Sequence, residues 1–171
     1  MNRRAFLVTG AGAGVALAAS ATSARGAESA TAANKAVARR FTEELWGGHK
    51  AELVDELIAA DFVNHNPFPG TDGDREGEKK AVLLHGAAMG DPEGKVEDQI
   101  AEGDKVATRW MFVATHRGKF MGIAPTGKRV KISGVNILRI ADGKIVELWR
   151  EVDVFGMLQQ LGATPPHPVG T

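Results

Sequence analysis

Residues 130–152, VKISGVNILRIADGKIVELWREV, contain two runs of alternating apolar and polar side chains separated by Asp142-Gly143. Alternation with a period of two is typical of β-strands, and an Asp-Gly pair between two such runs predicts a tight hairpin turn. We therefore predict strands over 130–141 and 145–152. Residues 106–115 alternate in the same way and 95–101 form a shorter run, so an antiparallel meander is predicted for the second half of the chain.

The first half of the chain has the periodicity of helices instead. Apolar residues recur at every fourth position from Val37 to Leu45, and Gly47-Gly48 end that run. The further predicted segments are a helix over 50–60, an extended segment over 61–66, a helix over 78–89 and a last helix over 154–161 capped by Asp153. Helices followed by an antiparallel sheet define an α+β fold.

The N-terminus predicts an export signal. Arg3-Arg4 precede an uncharged run rich in Gly and Ala, and small residues lead to a cleavage site after Gly26. The paired arginines are typical of the twin-arginine route, which predicts a periplasmic or extracellular protein with no membrane association once the signal is removed. The predicted divisions are a signal over 1–26, a linker over 27–33, one domain over 34–163 and a coil over 164–171.

The composition excludes several classes of function. The chain has 171 residues with equal numbers of basic and acidic residues, 21 each, which argues against a nucleic-acid partner. It contains no Cys and no Tyr, so disulfides, thiolate catalysis and phenolic acids are excluded. Its histidines lie far apart without a metal-ligand spacing, so no metal site is predicted.

The predicted strands are apolar on both faces, so both faces of the sheet require cover. Helices cover one face, and a second copy of the chain is predicted to cover the other in a homodimer. Polar residues among apolar ones on the helix-covered face are then expected to line a cavity. Asn136 on one strand and Arg150 on the next are the clearest of these residues.

Several short motifs together resemble the SnoaL-like polyketide cyclase (ester cyclase) family of the NTF2-like superfamily. They match in order and at a similar spacing over residues 34–163. The motifs are DFVNH at 61–65, THRG at 115–118, GIAPTGK at 122–128, RIADGKIVE at 139–147, Trp149, Asp153 and QQLG at 159–162. The resemblance implies a cone of N-terminal helices on a curved antiparallel sheet with a short C-terminal helix.

The family implies cofactor-free aldol ring closure of a small, polyketide-like carbonyl compound. It places an Asp base on the last strand, Gln and His on the strand before it, and Asn on the early strand. The Asn position holds Asn64, whereas the Gln and His positions hold Gly134 and Asn136. The base position holds Arg150, and an arginine cannot act as a base near neutral pH.

The other candidate residues each have two interpretations. Arg150 either holds a ligand oxyanion, together with Asn136, or forms an internal ion pair with an acid such as Asp61 or Glu102. The further catalytic candidates are His116, at a strand end, and Glu151, which would need a one-residue bulge to face inward. The candidate ligand-binding residues are Asn64, His65 and Trp110, for which turn closure or packing is the alternative.

The sequence leaves three functions open. The first is an enzyme of the SnoaL-like ester cyclase class that uses no cofactor, acting by cyclisation or isomerisation. The second is a non-catalytic exported protein that binds a small ligand on the same scaffold. The third is epoxide hydrolysis, which would pair Arg150 with an inward acid around a water molecule.

Overall fold

A computed structural model describes residues 14–163, with side chains described from residue 26 onward. The predicted twin-arginine pair and the predicted C-terminal coil lie outside the described residues. The helical elements are α1 (Gly14–Arg40), a π-helical turn (Phe41–Trp46), a 3-10 turn (Ala51–Leu53), α2 (Val54–Leu57), α3 (Arg75–Ala88) and α4 (Val154–Leu161). The strands are β1 (Ile58–Asn64), β2 (Met89–Glu102), β3 (Lys105–His116), β4 (Arg129–Ala141) and β5 (Lys144–Val152). Within the described part of the chain, no helix is both long and apolar enough to span a membrane.

The five strands form one mixed sheet in the order β1-β5-β4-β3-β2. Strands β2 to β5 are the predicted antiparallel meander, and β1 joins its far edge parallel to β5. The hairpin turn at Asp142-Gly143 is confirmed, since both residues have positive φ, 50° and 74°. Positive φ at both central positions matches the twist of the flanking strands, which is why Asp-Gly favours this turn.

Three elements differ from the sequence prediction. Residues 27–33, predicted as a linker, are helical as part of α1. The predicted helix over 50–60 breaks into two short turns and ends at Leu57, because Ile58 already pairs with Ile145 of β5. Strand β2 begins at Met89, six residues earlier than predicted. The first half of β2 was not predicted because it contains Pro92, and proline is rare inside strands. Pro92 is tolerated here because β2 is an edge strand and its register with β3 shifts at this point.

The interior contains two apolar clusters at opposite ends of the sheet. The closed end is the cluster beneath α1 and α2, with Phe41, Leu45, Val106, Leu138 and Leu148 among its members. The open end is the cluster beside α4. Its buried members include Phe112, Phe120, Ile132, Met157 and Leu161. Strands β3, β4 and β5 run through both ends, so the side chains between the clusters decide what separates them.

Candidate active site

A row of polar side chains crosses the sheet between the two apolar clusters. Gln99, Thr108, Asn136 and Arg150 are consecutive cross-strand partners on β2, β3, β4 and β5. Thr108 and Asn136 are buried, and the Arg150 side chain is 9% exposed. We call these four residues the polar row. Because register sets which side chains meet across a sheet, strand pairing alone brings these groups together.

A cavity of about 340 Å³ lies on the open-end side of the polar row. Its walls are mostly apolar, and several polar side chains lie together at the end next to the polar row, while the exposed Asn66 and Glu151 also border the cavity. The lining includes Phe68, Trp110, Phe112, Phe120, Ile132 and Met157, with Thr42, Trp46, His85, Asn136 and Arg150 at the polar end. A mostly apolar cavity with a few convergent polar groups is the usual form of a small-molecule site.

Arg150 forms a buried ion pair with Glu78 of α3. Its Nη2 donates to Oε1 of Glu78 at 2.7 Å, and the Glu78 side chain is only 1% exposed. The same carboxylate accepts two further hydrogen bonds, each of 2.9 Å. The Trp46 indole Nε1 donates to Oε1, and the Asn64 side-chain amide donates to Oε2. Three donors compensate the cost of removing this carboxylate from water, which a single buried partner rarely does.

The π-helical turn presents two aromatic rings to the Arg150 guanidinium. Its carbon lies 4.3 Å from the centroid of the Trp46 ring and 5.7 Å from that of the Phe41 ring. Such contacts are favourable because the ring face is electron-rich. Extra residues in a helical turn often occur at functional sites. Here the turn directs Trp46 both to the guanidinium and to Glu78.

The structure brings Arg150, Asn136 and Trp110 together around the cavity. Arg150 Nε donates to Asn136 Oδ1 at 3.3 Å. Within the described residues, neither Arg150 Nη1 nor the Asn136 Nδ2 group donates to another protein atom. The polar end of the cavity therefore contains hydrogen-bond donors that the protein itself does not use.

Gly134 lies beneath the indole ring of Trp110. A Cβ at this position would come within 2.4 Å of the ring carbon Cζ2 of Trp110. A larger side chain at 134 and a tryptophan at 110 are therefore incompatible in this arrangement. The Trp110 indole Nε1 is buried and has no hydrogen-bond partner in the described part of the chain.

Asn64 and His65 lie outside the cavity lining. Asn64 donates to Glu78, and its Oδ1 accepts from the backbone N–H of Asn66 at 2.9 Å, so it closes the turn after β1. The His65 ring stacks on Trp149 at 4.5 Å, and its Nε2 lies 3.1 Å from a Glu147 carboxylate oxygen. Asn64 therefore has the turn-closing role that was its alternative interpretation, whereas His65 contacts Trp149 and Glu147 of β5.

The two remaining catalytic candidates do not point into the cavity. His116 is fully buried, with Nδ1 against Thr126, and does not line the cavity. Glu151 borders the cavity but is exposed, and it pairs in regular register with Val135 while Arg150 pairs with Asn136. Because no bulge separates the two pairs, the Glu151 side chain points to the opposite face from Arg150.

The acid that pairs with Arg150 was not among those expected. The expected internal ion pair of Arg150 is present, but its acid is Glu78; Asp61 and Glu102 are both exposed and make no contact with Arg150. The sequence could have indicated that Glu78 is buried. It precedes Val82 by four residues and His85 by seven, so the helical period places all three on one face of α3. All three are on the buried face of α3.

This arrangement of helices over a mixed sheet is the NTF2-like fold, and comparison with known proteins narrows the class. The sequence profile of the SnoaL-like polyketide cyclase family matches residues 36–161. The chain belongs to this family.

Three relatives illustrate the similarity. Nogalonic acid methyl ester cyclase of Streptomyces nogalater is 32% identical over 125 residues, 71% of this chain and 92% of that protein. Aklanonic acid methyl ester cyclase DnrD of Streptomyces peucetius is 30% identical over 139 residues, 77% and 92% of the two chains. The solved structure of IdmH from Streptomyces antibioticus aligns with a TM-score of 0.66 at 36% identity, covering 75% of this chain and 98% of that one.

Proposed function

We propose that the protein binds a small, uncharged, carbonyl-bearing organic molecule in the cavity and promotes aldol-type ring closure or isomerisation of it. The single observation behind this proposal is the set of unused donors on Arg150 and Asn136 at the polar end of an apolar cavity. Donors fixed at one end of such a site stabilise the negative charge that develops on a carbonyl oxygen when an enolate forms. Two relatives named as methyl ester cyclases support the same class of substrate.

The charge balance favours a neutral ligand. Glu78 already neutralises Arg150 at 2.7 Å, so the polar end has no net charge to match a carboxylate. A ligand carboxylate would have to leave water and meet a guanidinium that is already paired, which costs more than it returns. An ester or ketone oxygen accepts a hydrogen bond from the guanidinium or the amide without that cost.

Non-catalytic binding of the same kind of molecule is the second candidate. It is favoured by the position of Glu78, the carboxylate nearest to the donors, because Trp46, Asn64 and Arg150 all donate to it. A carboxylate so held serves as the counter-ion of Arg150. The family's base position is occupied by Arg150 in this proposal, so catalysis requires a proton acceptor elsewhere in the cavity.

The proposal is tested by calorimetry and thermal shift with ethyl benzoylacetate, a neutral aromatic β-keto ester, and with 3-benzoylpropionate, an aromatic keto carboxylate of similar size that does not decarboxylate on heating. We expect the ester to raise the melting temperature by about 5 °C at a hundredfold excess over its Kd, and the carboxylate to have no effect. Asn136→Leu, which keeps the volume and removes the amide, is expected to weaken ester binding at least tenfold, the loss of about one hydrogen bond.

Ser133→Ala is the matched control, since Ser133 is exposed on the same strand and does not line the cavity. It is expected to leave the Kd unchanged. Equal binding of ester and carboxylate, or an unchanged Kd in Asn136→Leu, would contradict the proposed placement of the ligand. No binding of either compound would contradict the proposed function itself.

We further propose that the protein is exported by the twin-arginine route and forms a homodimer through the outer face of the sheet. Val135 and Ile137 support the second point, since each is 40% exposed on that face of β4. Fractionation of cells with and without Arg3-Arg4→Lys-Lys tests the export, and light scattering of the purified domain tests the dimer. Retention in the cytoplasm of the unsubstituted chain would contradict export.

A further inference from the structure

Two histidines contact each other between the cavity and the surface. His85 lies on α3 and lines the cavity, and His49 lies in the loop after the π-helical turn. The His85 Nδ1 and the His49 Nε2 are 3.0 Å apart, and the rings meet edge to face at 5.1 Å. One nitrogen therefore donates to the other.

The cavity end of this pair is free to contact a ligand. His85 is 7% exposed, and its ring packs edge to face against Trp46 and Phe112. Its Nε2 forms no hydrogen bond to any protein atom among the described residues. Burial, His49 and Arg150 lower the pKa of His85 to about 3, so the ring is neutral at physiological pH.

The surface end is held in place by two local features. His49 has a φ of 53°, a left-handed conformation that costs free energy for any residue with a Cβ. Gly86 of α3 lies directly beneath its ring, and a Cβ there would come within 3.2 Å of the ring carbon Cγ. His49 is partly exposed, and burial lowers its pKa as well, so it too is neutral near pH 7.

We propose that His85 and His49 form a proton relay that connects the cavity to solvent, with His85 Nε2 as the group that accepts the proton from the ligand. This inference rests on the proposed function, because it supplies the acceptor that Arg150 cannot provide.

The transfer conserves charge along the relay. The C–H bond next to the ligand carbonyl breaks, its electron pair forms the enolate, and the proton moves to His85 Nε2. At the same time the His85 Nδ1 proton moves to His49 Nε2, and the His49 Nδ1 proton moves to a base in the solvent, hydroxide or a buffer anion, which takes up the charge that balances the enolate. Both rings are neutral before and after the step, so the buried imidazolium that the cavity disfavours is never formed.

The new negative charge faces the donors of Arg150 and Asn136 at the polar end of the cavity. When the enolate carbon attacks a second carbonyl of the same molecule, a carbon–carbon bond forms and the charge moves to that oxygen. The resulting alkoxide takes a proton back along the same path, and the ligand is isomerised without net loss of atoms.

The test measures hydrogen–deuterium exchange at the acidic carbon of bound ethyl benzoylacetate by NMR, with the uncatalysed rate subtracted and the Kd measured in parallel. We expect His85→Gln and His49→Gln each to reduce the exchange rate about 100-fold, a typical contribution of general acid–base catalysis. Gly86→Ala is expected to reduce it about tenfold, because it displaces the His49 ring without entering the cavity. For Gly86→Ala and His49→Gln the Kd is expected to change by less than about twofold, because neither residue lines the cavity.

His65→Gln is the control, since this histidine lies outside the cavity lining and packs on Trp149. Its exchange rate is expected to equal that of the unsubstituted protein. If His49→Gln and His85→Gln accelerate exchange as much as the unsubstituted protein does, the relay is overturned while the proposed function stays intact. Binding without any acceleration by the unsubstituted protein would also overturn the relay, whereas absence of binding would overturn the proposed function.

Discussion

The two ends of the interior are built on the same three strands and differ in how completely they are filled. At the closed end, Val106, Leu138 and Leu148 are fully buried in one apolar cluster beneath the helices. At the open end, Phe112 and Ile132 on two of the same strands border a cavity of about 340 Å³. The polar row lies between them, so the strands change character within a few residues.

Under the proposed function, this difference marks where the molecule has less stabilising packing and a cavity for a ligand instead. A filled apolar cluster gains both transfer free energy and packing contacts, whereas side chains bordering a cavity lose the packing contacts on one side. The polar row also requires compensation that an apolar core would not need, which Glu78 and its three donors supply. The closed end therefore stabilises the fold, while the open end contains the proposed ligand site.

The largest expected effect on the free energy of unfolding comes from truncating one buried side chain at each end of the interior. Leu138→Ala at the closed end is expected to lower the free energy of unfolding by about 4 kcal/mol, because Leu138 is fully buried among packed neighbours. Ile132→Ala at the open end is expected to cost about 2 kcal/mol, since part of its surface already faces the cavity. Urea denaturation measures both, and equal costs would contradict the distinction between the ends.

The next effect concerns the charge pair between the ends. Glu78→Gln leaves Arg150 buried without a counter-charge and is expected to lower the free energy of unfolding by about 3 kcal/mol. Glu76→Gln, two residues earlier on the same helix, is the control because its side chain is 71% exposed. The control is expected to change stability by less than about 0.5 kcal/mol. Similar losses in both variants would show that the pair contributes no more than a surface charge.

A third, smaller effect appears on acidification. The pKa of His85 is about 3 in the folded protein against 6.5 for an ordinary histidine, so the unfolded chain binds the extra proton between these values. Stability is therefore lost as the pH falls, by about 2 kcal/mol between pH 7 and pH 5 for this group. The lowered pKa of His49 acts in the same direction. Denaturation of His85→Gln should show a correspondingly shallower pH dependence, and an unchanged slope would contradict burial of a neutral ring.

The smallest expected effect lies on the outer face of the sheet, which belongs to neither end. Ile137→Lys is expected to change the free energy of unfolding of the monomer by less than about 0.5 kcal/mol, because the side chain is 40% exposed. In the proposed homodimer the same substitution places a charge in the interface and should shift the protein to monomers. Light scattering at several concentrations distinguishes a lost dimer from a protein that was monomeric before the substitution.

Much of the fold could be predicted from local patterns. The alternation over 130–152 and the Asp142-Gly143 turn define the central hairpin, and both are confirmed. The pairing of β1 with β5 could not be predicted, because a parallel contact between distant segments leaves no periodic signal in either. The first half of β2 could not be predicted either, because Pro92 and a register shift interrupt its alternation of apolar and polar residues.

The residues of the candidate site could also be predicted only in part from the sequence. Asn136 and Arg150 stand out as polar residues in apolar strands, and the structure places them side by side at the cavity. The sequence did not indicate that His49 belongs to the site. Its position depends on its left-handed backbone conformation and on the space next to Gly86, and only the assembled fold defines both. The helical period of α3 places His85 on the buried face, whereas tertiary contacts alone bring His49 against it.

The internal neutralisation of Arg150 by Glu78 has a consequence for how the proposed ligand would enter the cavity. Because the cavity has no net charge at its polar end, long-range electrostatic attraction contributes little to the encounter of ligand and protein. The association rate constant should therefore barely change with ionic strength. Uptake then depends on transfer of apolar surface out of water, past a rim where Met121 and Val154 are exposed. Detergents and lipid-like contaminants with a terminal carbonyl would compete for the same entrance, so purification conditions will influence which compounds the protein retains.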